Sequence, residues 1–232
     1  MHTSIRSLAG SLLAAIGCAA TAGSLQAQRF EGILSIHSTS MPPGAGMQYF
    51  IKGDRLRLEL TVPGESPFVM ISDGPTRKQY TLFTLQKVYT TVTFDELLRT
   101  TDSLRKMSAS LLKAGTMTPT KTVAQVAGHK CTVHRYRDAK SAFDICLSTE
   151  LGAVSGAPGL FGNVSPSIDP TPPPAWVQKF IAAGSFALRL ADTTGKTLWE
   201  VQKVEAKKLE ASLFAVPAGF TASAAPAKKP SD

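Results

Sequence analysis

Apolar residues alternate with polar residues at two-residue spacing over much of the chain. This spacing is typical of β-strands that bury one face. The clearest example is the segment of residues 55–62, where Leu56, Leu58 and Leu60 alternate with charged side chains. The pattern recurs in about eleven segments without any strand–helix–strand alternation. It therefore predicts a mainly β fold with a meandering antiparallel sheet, curled or closed.

One long amphipathic helix is predicted over residues 94–114. Thr93 and Glu96 have the spacing of a capping box, in which each satisfies a backbone amide of the other at the helix start. Leucines recur at helical spacing from Leu97 onward and give the helix one apolar face. Gly115 stands where a left-handed C-terminal cap belongs. Because an apolar face must lie against another apolar surface, we expect this helix to pack on the sheet.

A second, shorter helix is predicted after a long loop. Residues 149–174 are rich in Gly, Pro and Ser, which predicts the loop. Residues 175–183 follow it, with Trp176 and Phe180 on one face of the helix. This aromatic face is expected to serve either as a lid or as a plug for the sheet.

A disulfide between Cys131 and Cys146 is predicted. These two cysteines lie in two strands of one predicted hairpin. A turn centred between Asp138 and Ala139 places them directly opposite each other, at bonding distance and on the face away from Phe143. The bridge implies folding in a compartment that permits disulfides.

The same hairpin contains the best candidate set of metal ligands in the sequence, which is His129, Cys131, His134 and Cys146. Imidazole and thiolate are ligands that suit zinc or copper. Side chains alternate along a strand, however, so His134 points away from His129 and Cys131. A disulfide flanked by two surface histidines is the favoured interpretation, and no metal or other cofactor is predicted.

The N-terminal segment, residues 1–27, is typical of an export signal. A positive start with Arg6 precedes a short apolar run from Leu8 to Ala20, and small residues follow it. This run is too short to span a bilayer, so no transmembrane span is predicted in the mature form. Cleavage after Ala27 gives a periplasmic protein. The alternative is cleavage before Cys18, which would then carry lipid and anchor the protein to a membrane.

The formal net charge is +8, and removing the signal takes away one Arg and no acid, leaving +7. A positive surface favours anionic partners such as the envelope surface. The basic residues are scattered and no nucleic-acid motif accompanies them, so no nucleic-acid partner is expected. The three mature histidines, His37, His129 and His134, are not joined by any nucleophile motif. We therefore expect a non-catalytic protein.

The chain contains five further motifs: Phe30-Glu31-Gly32, Ile51-Lys52-Gly53-Asp54-Arg55-Leu56-Arg57, Lys87-Val88-Tyr89, Ala127-Gly128-His129-Lys130-Cys131 and Phe214-Ala215-Val216-Pro217-Ala218-Gly219-Phe220. Together they resemble an uncharacterised bacterial envelope family, a domain of unknown function in the superfamily of the lipoprotein carriers LolA and LolB. The resemblance implies an antiparallel curled half-barrel of eleven strands over residues 28–220, with helices against its concave face. In the lipoprotein carriers that cavity takes up acyl chains. Residues 221–232 are rich in Ala, Pro and Lys and predict a disordered tail.

Two functions remain open from the sequence. In the first, the concave face holds an apolar group such as a lipid or a lipoprotein acyl chain. In the second, the face is filled by its own side chains, and the protein is a structural or interaction module of the envelope. The candidate lining residues are Leu34, Ile36, Leu56, Leu58, Tyr80, Leu82, Val88, Val92, Leu97, Leu104, Trp176 and Phe180. The oligomeric state is not predicted.

Overall fold

The computed structural model describes residues 30–103, 106, 110, 113–152 and 173–223. In these residues twelve strands form one sheet. The strands are β1 (Glu31–Ser38), β2 (Gly46–Lys52), β3 (Arg55–Thr61), β4 (Phe68–Asp73), β5 (Lys78–Phe83), β6 (Val88–Thr93), β7 (Thr116–Val126), β8 (His129–Arg137), β9 (Ala142–Ser148), β10 (Phe186–Asp192), β11 (Thr197–Ala206) and β12 (Thr221–Ala222). The predictions made for residues 1–27, Cys18 and Leu104 concern residues outside the described part of the chain.

The strands follow each other in the order β12-β6-β5-β4-β3-β2-β1-β11-β10-β9-β8-β7. Two meanders, β1 to β6 and β7 to β11, join where β1 pairs with β11. Among the described strands, every pairing is antiparallel except that of β12 with β6, which is parallel. The predicted mainly β, antiparallel sheet is confirmed, and all eleven predicted strands correspond to observed ones.

The sheet curls, which is evident from what its faces bury. Strands β7 and β11 approach each other although three strands separate them in the sheet. One buried cluster, here called the inner cluster, draws side chains from β3 at one side and β7 at the other. It consists of Phe30, Leu34, Ile36, Tyr49, Ile51, Leu56, Val126, Cys131, Val133, Cys146, Leu151, Phe186, Leu188 and Val201. The sheet therefore wraps around this face, which we call the inner face.

Two further clusters cover the opposite, outer face, because side chains alternate along each strand. The first outer cluster consists of Ile33, Val69, Ile71, Leu82, Leu209 and Phe214. The second consists of Tyr136, Ile145, Leu147 and Ala187. The sheet is thus apolar on both faces over much of its area, which is why it needs covering segments outside as well as inside.

The predicted helix over residues 94–114 begins as expected and is interrupted. Helix α1 (Phe94–Thr100) starts with the capping box of Thr93 and Glu96 and ends at Thr101. The helical state resumes at Asp102. Gly115 has no positive φ, so the predicted left-handed cap is wrong. Gly115 instead packs so closely on the Tyr136 ring that a β-carbon there would overlap it.

The second helix, α2 (Ala175–Ala182), confirms the predicted short helix, and Gly184 follows it with φ 64°. Its aromatic residues do not cover the inner face. Trp176 and Phe180 pack against the second outer cluster, and the ring of Phe180 lies edge-on to His134 with 5.1 Å between the ring centroids. The expectation of both helices against the concave face is therefore corrected for α2.

The C-terminal segment, residues 207–223, crosses the outer face of β1 to β6. It includes a 3₁₀ helix (Ala211–Phe214), and Phe214 is buried in the first outer cluster. Thr221 and Ala222 then pair with β6. The predicted boundary of a disordered tail at Thr221 is thus corrected by at least these two residues, and residues 224–232 lie outside the described part.

An ion pair on the sheet fixes the start of this segment. The Glu31 carboxylate accepts hydrogen bonds from the Leu209 amide at 2.7 Å and from Lys52 Nζ at 2.8 Å. Lys52 Nζ also donates to the Leu209 carbonyl at 2.6 Å. The amide of Leu209 first, and Lys52 next, lower the pKa of Glu31 below its usual value. Both backbone groups of Leu209 are therefore held by one salt bridge.

We expect Glu31→Gln to lower the free energy of unfolding by about 1 kcal/mol at pH 7, because a charged acceptor is lost. The pKa of Glu31 is lower in the folded than in the unfolded protein, so its contribution is present above the unfolded value of about 4.5. It is lost as the pH falls through the folded pKa. Urea unfolding of both proteins from pH 7 to pH 3 checks this: the difference must shrink below pH 4.5, and a difference that grows on acidification contradicts it.

Candidate functional site

The inner face is filled over one part of the sheet and open over another. Over β1, β2 and β8 to β11 its apolar side chains are buried against each other. Over β4 to β6 the same face carries Phe68 and Phe83, each 40% exposed. Large exposed apolar side chains on one contiguous face are the unusual feature of this surface, since single exposed apolar residues are common.

The exposed residues belong to a straight line of cross-strand pairs that we call the apolar row. It consists of Ile36, Met47, Leu60, Phe68, Phe83 and Val88, each paired with the next across β1 to β6. With strands about 4.8 Å apart, five intervals make the row about 24 Å long. Ile36 is buried at one end, and exposure rises toward β4 and β5.

The next line of pairs on this face is less apolar. Leu58 and Met70 continue it across β3 and β4, but Thr81 and Thr90 occupy β5 and β6. The purely apolar part of the open surface is therefore narrow on β5 and β6 and widens toward β3. Tyr49 lies beside this open surface, and its burial in the inner cluster raises its pKa to about 12. The Tyr49 hydroxyl lies 3.5 Å from Met47 Sδ.

The structure places half of the predicted lining residues on the inner face. Leu34, Ile36 and Leu56 are in the inner cluster and Leu58 packs against it. Val88 and Val92 share that face, since their partners Phe83 and Gln79 alternate with the outward-facing Tyr80 and Leu82.

Other predicted lining residues lie elsewhere. Tyr80 and Leu82 pack in the first outer cluster beneath the C-terminal segment, so they share no surface with Leu34. Trp176 and Phe180 are on the outer face over β8 to β10. Leu97 is half-buried and, among the described residues, belongs to none of the three clusters.

The predicted disulfide between Cys131 and Cys146 is confirmed, with 5.3 Å between the two Cα atoms. The predicted register is corrected by two residues, because Cys146 pairs with Val133 and the bridge runs diagonally from β8 to β9. The Asp138 carboxylate accepts hydrogen bonds from the amides of Lys140 and Ser141. This moves the turn centre to between Ala139 and Lys140 and keeps both cysteines on the inner face.

The two histidines of this hairpin have separate surroundings. His129 Nδ1 lies 3.1 Å from a carboxylate oxygen of Glu150, whereas His134 Nδ1 is 3.0 Å from the Thr132 carbonyl and its ring meets Phe180 on the outer face. In the part of the chain described, no three His, Cys, Asp or Glu side chains are grouped so as to hold a metal ion.

The sequence reasoning missed Met47, Leu60, Phe68 and Phe83 as site residues. Phe68 and Phe83 stand at the ends of β4 and β5, where a short strand shows too few alternations to assign a face. The available signal was the strand register. Once Leu58 is placed on the inner face, its partner across the 62–67 loop, Met70, lies on that face, and so does Phe83, two residues after the partner of Met70 on β5.

The described fold defines a class: a mainly β protein with one open, curled antiparallel sheet and short covering helices. The family described as a domain of unknown function (DUF4412) matches residues 30–220. The chain belongs to this family. A search of curated protein sequences gives no match.

Among solved structures, PNGF-II in a C2 space group is similar, with a TM-score of 0.42 and 12% identity over 85% of this chain and 31% of that one. MucB in complex with MucA(peri) is similar with a TM-score of 0.39 and 14% identity, over 80% of this chain and 53% of that one. The chain thus spans less than two thirds of either neighbour. Within the described residues, we find no helix with the length and apolar character required for crossing a bilayer.

Proposed function

We propose that this protein is an exported, non-catalytic binding protein of the bacterial envelope, which holds an apolar, lipid-like group along the apolar row. The observation that carries the proposal is the exposure of Phe68 and Phe83, 40% each, on the face around which the sheet curls. An aromatic pair that remains open to solvent on a concave surface favours burial by a ligand, because removing apolar area from water is favourable by about 25 cal/mol per Å².

The filled part of the inner face limits where such a ligand binds. Leu34, Ile51 and Val201 are fully buried by neighbouring side chains, so no ligand enters the sheet between β1 and β11 without unpacking it. The open part over β3 to β6 needs no rearrangement. The ligand therefore lies across strands β3 to β6 at the surface, and one of its ends contacts the buried inner cluster.

The envelope location in this proposal is supported by the disulfide of Cys131 and Cys146, because disulfides persist in oxidising compartments such as the periplasm. The chain begins with residues 1–27, whose pattern is that of an export signal. The soluble periplasmic form is the one we propose, and a lipid-anchored form through Cys18 is its alternative. An acyl mass on Cys18 in membrane-extracted protein would establish the anchored form.

A direct test uses protein purified from the periplasm without detergent. Native mass spectrometry followed by organic extraction is expected to show a co-purifying lipid-like molecule near one per protein. A clean apoprotein that also takes up no neutral fluorescent probe, N-phenyl-1-naphthylamine, would favour the other function, a structural or interaction module with a filled core.

We expect the double variant Phe68→Ser, Phe83→Ser to bind this probe at least tenfold more weakly than the wild type, because about 1.5–3 kcal/mol of apolar contact is lost per large side chain. Both rings are half-exposed, so the fold should tolerate the change. A matched control is Leu85→Ser, which removes a 75%-exposed side chain from the β5–β6 turn outside the row. Equal binding by the double variant and the control would contradict the site.

A further inference from the structure

Of the large apolar side chains that are exposed in the described part of the chain, three lie together at one end of the sheet. Leu85 is 75% exposed, and Phe68 and Phe83 are each 40% exposed. Phe68 pairs with Phe83 across β4 and β5, and Leu85 follows two residues later in the turn of residues 84–87, which joins β5 to β6. We call Phe68, Phe83 and Leu85 the apolar corner.

The apolar corner is continuous with the apolar row along the rim of the sheet. At this rim the last pairs of β3 to β6 are formed by row members, which are Leu60, Phe68, Phe83 and Val88. The loop of residues 62–67 and the turn of residues 84–87 follow directly after these pairs. A planar surface laid against this end of the sheet therefore contacts the apolar corner and the exposed end of the row together.

The two connections around the apolar corner carry little charge. They contain one base and one acid, Lys87 and Glu65, whose formal charges cancel. Thr84 Oγ1 donates to the Pro67 carbonyl at 3.4 Å, so the turn lies against the loop. Contact with an apolar phase at this corner therefore requires the desolvation of few charged groups, which is the costly part of such a contact.

The size and position of the apolar corner favour a lipid bilayer over a protein partner. A stable protein interface buries roughly 800 Å² on each partner, and three partly exposed side chains at a strand end supply a small part of that area. A bilayer needs no matched surface, because each apolar side chain that enters it gains free energy by leaving water. The bilayer is also where a lipid-like ligand resides before it is bound.

We propose that the apolar corner docks this protein on a lipid bilayer, with Leu85 inserted and the exposed end of the apolar row at the membrane surface. The inference rests on the proposed function in one respect, since it takes the row as the site that receives a lipid-like group from the bilayer. Docking through apolar side chains differs from electrostatic adsorption of a chain whose formal net charge is +8, because salt screens only the latter.

The test is flotation with vesicles of phosphatidylethanolamine and phosphatidylglycerol, using protein purified from the periplasm without detergent and without an acyl mass on Cys18. We expect the wild type to float, with less than about a twofold change in its partition coefficient between low and high salt. Leu85→Ser should lower that coefficient by at least about fivefold. The matched control is Ile181→Ser, which removes a side chain of the same size that is 48% exposed on α2 and should float like the wild type.

Two results overturn the docking surface: Leu85→Ser that floats as well as Ile181→Ser, or wild-type flotation that is lost at high salt. A wild type that does not float but forms a dimer, abolished by Leu85→Ser in sedimentation equilibrium, assigns the corner to a second copy and also overturns it. Uptake of N-phenyl-1-naphthylamine on the same samples separates the two proposals. Leu85→Ser should keep this uptake, since Leu85 lies outside the row, whereas a wild type that floats but takes up no probe rejects the proposed function and leaves the docking surface in place.

Discussion

Replacing Phe94 with alanine is expected to lower the free energy of unfolding by about 3–5 kcal/mol, the usual range for a fully buried phenylalanine. Phe94 is 1% exposed and joins β6 to α1. Its amide donates to the Arg77 carbonyl at 3.0 Å, and the Arg77 guanidinium carbon lies 5.7 Å from its ring centroid. The alanine variant leaves a cavity where the helix meets the sheet, so both the transfer energy and the packing are lost.

The matched comparison is Leu97→Ala, one helical turn later. Leu97 is half-buried and joins no cluster of the described residues, so we expect a loss of at most about 1.5 kcal/mol. Urea unfolding measures both, and in thermal unfolding each kcal/mol corresponds to about 2–4 °C for a domain of this size. A larger loss for Leu97 than for Phe94 would mean that the leucines, as the sequence pattern indicates, are what fixes this helix.

The comparison of these two residues shows what periodicity predicts and what it leaves out. The capping box at Thr93 and Glu96 is a local signal, since both partners lie within one turn, and it was predicted correctly. The burial of Phe94 depends on the path of the β4–β5 turn, which carries Arg77 to it. That contact is set by tertiary structure, so no local pattern contains it.

The strands were predictable because the alternation of apolar and polar residues and the positions of the turn residues indicate the same strand boundaries. In the hairpin of β2 and β3, the turn Gly53-Asp54 takes a positive φ of 57° at Gly53, where glycine has no β-carbon to clash. The pairing of Ile51 with Leu56 follows from that turn. A two-residue turn fixes the register completely, so side chains of both strands could be assigned to one face.

Which face is the inside was not predictable for β5. Tyr80 and Leu82 alternate with Thr81 and Phe83, so both faces of this strand carry apolar groups. Alternation assigns each side chain to one of two faces and does not say which face the sheet curls around. The answer depends on the C-terminal segment, whose Leu209 and Phe214 cover Leu82 from more than a hundred residues away.

Replacing Cys131 and Cys146 together with alanine is expected to lower the free energy of unfolding by about 3 kcal/mol, the chain-entropy value for a loop of about 15 residues. The two cysteines are 15 residues apart and each is 2% exposed in the inner cluster. Their loss therefore raises the conformational entropy of the unfolded chain, and it also removes two sulfur atoms from packed positions. Because the bridge is diagonal, it also resists sliding of β9 along β8, which the Asp138 turn alone must then prevent.

Urea unfolding of the wild type and the double alanine variant, each with and without dithiothreitol, measures this contribution. Reductant should destabilise the wild type to near the level of the variant and leave the variant unchanged. Val133→Ala, at the position that pairs directly with Cys146, is the packing control, with an expected loss of about 1–2 kcal/mol from the removed methyl groups. A double variant that loses no more than this control would show that the bridge adds nothing beyond its packing, and that the turn alone holds the hairpin in register.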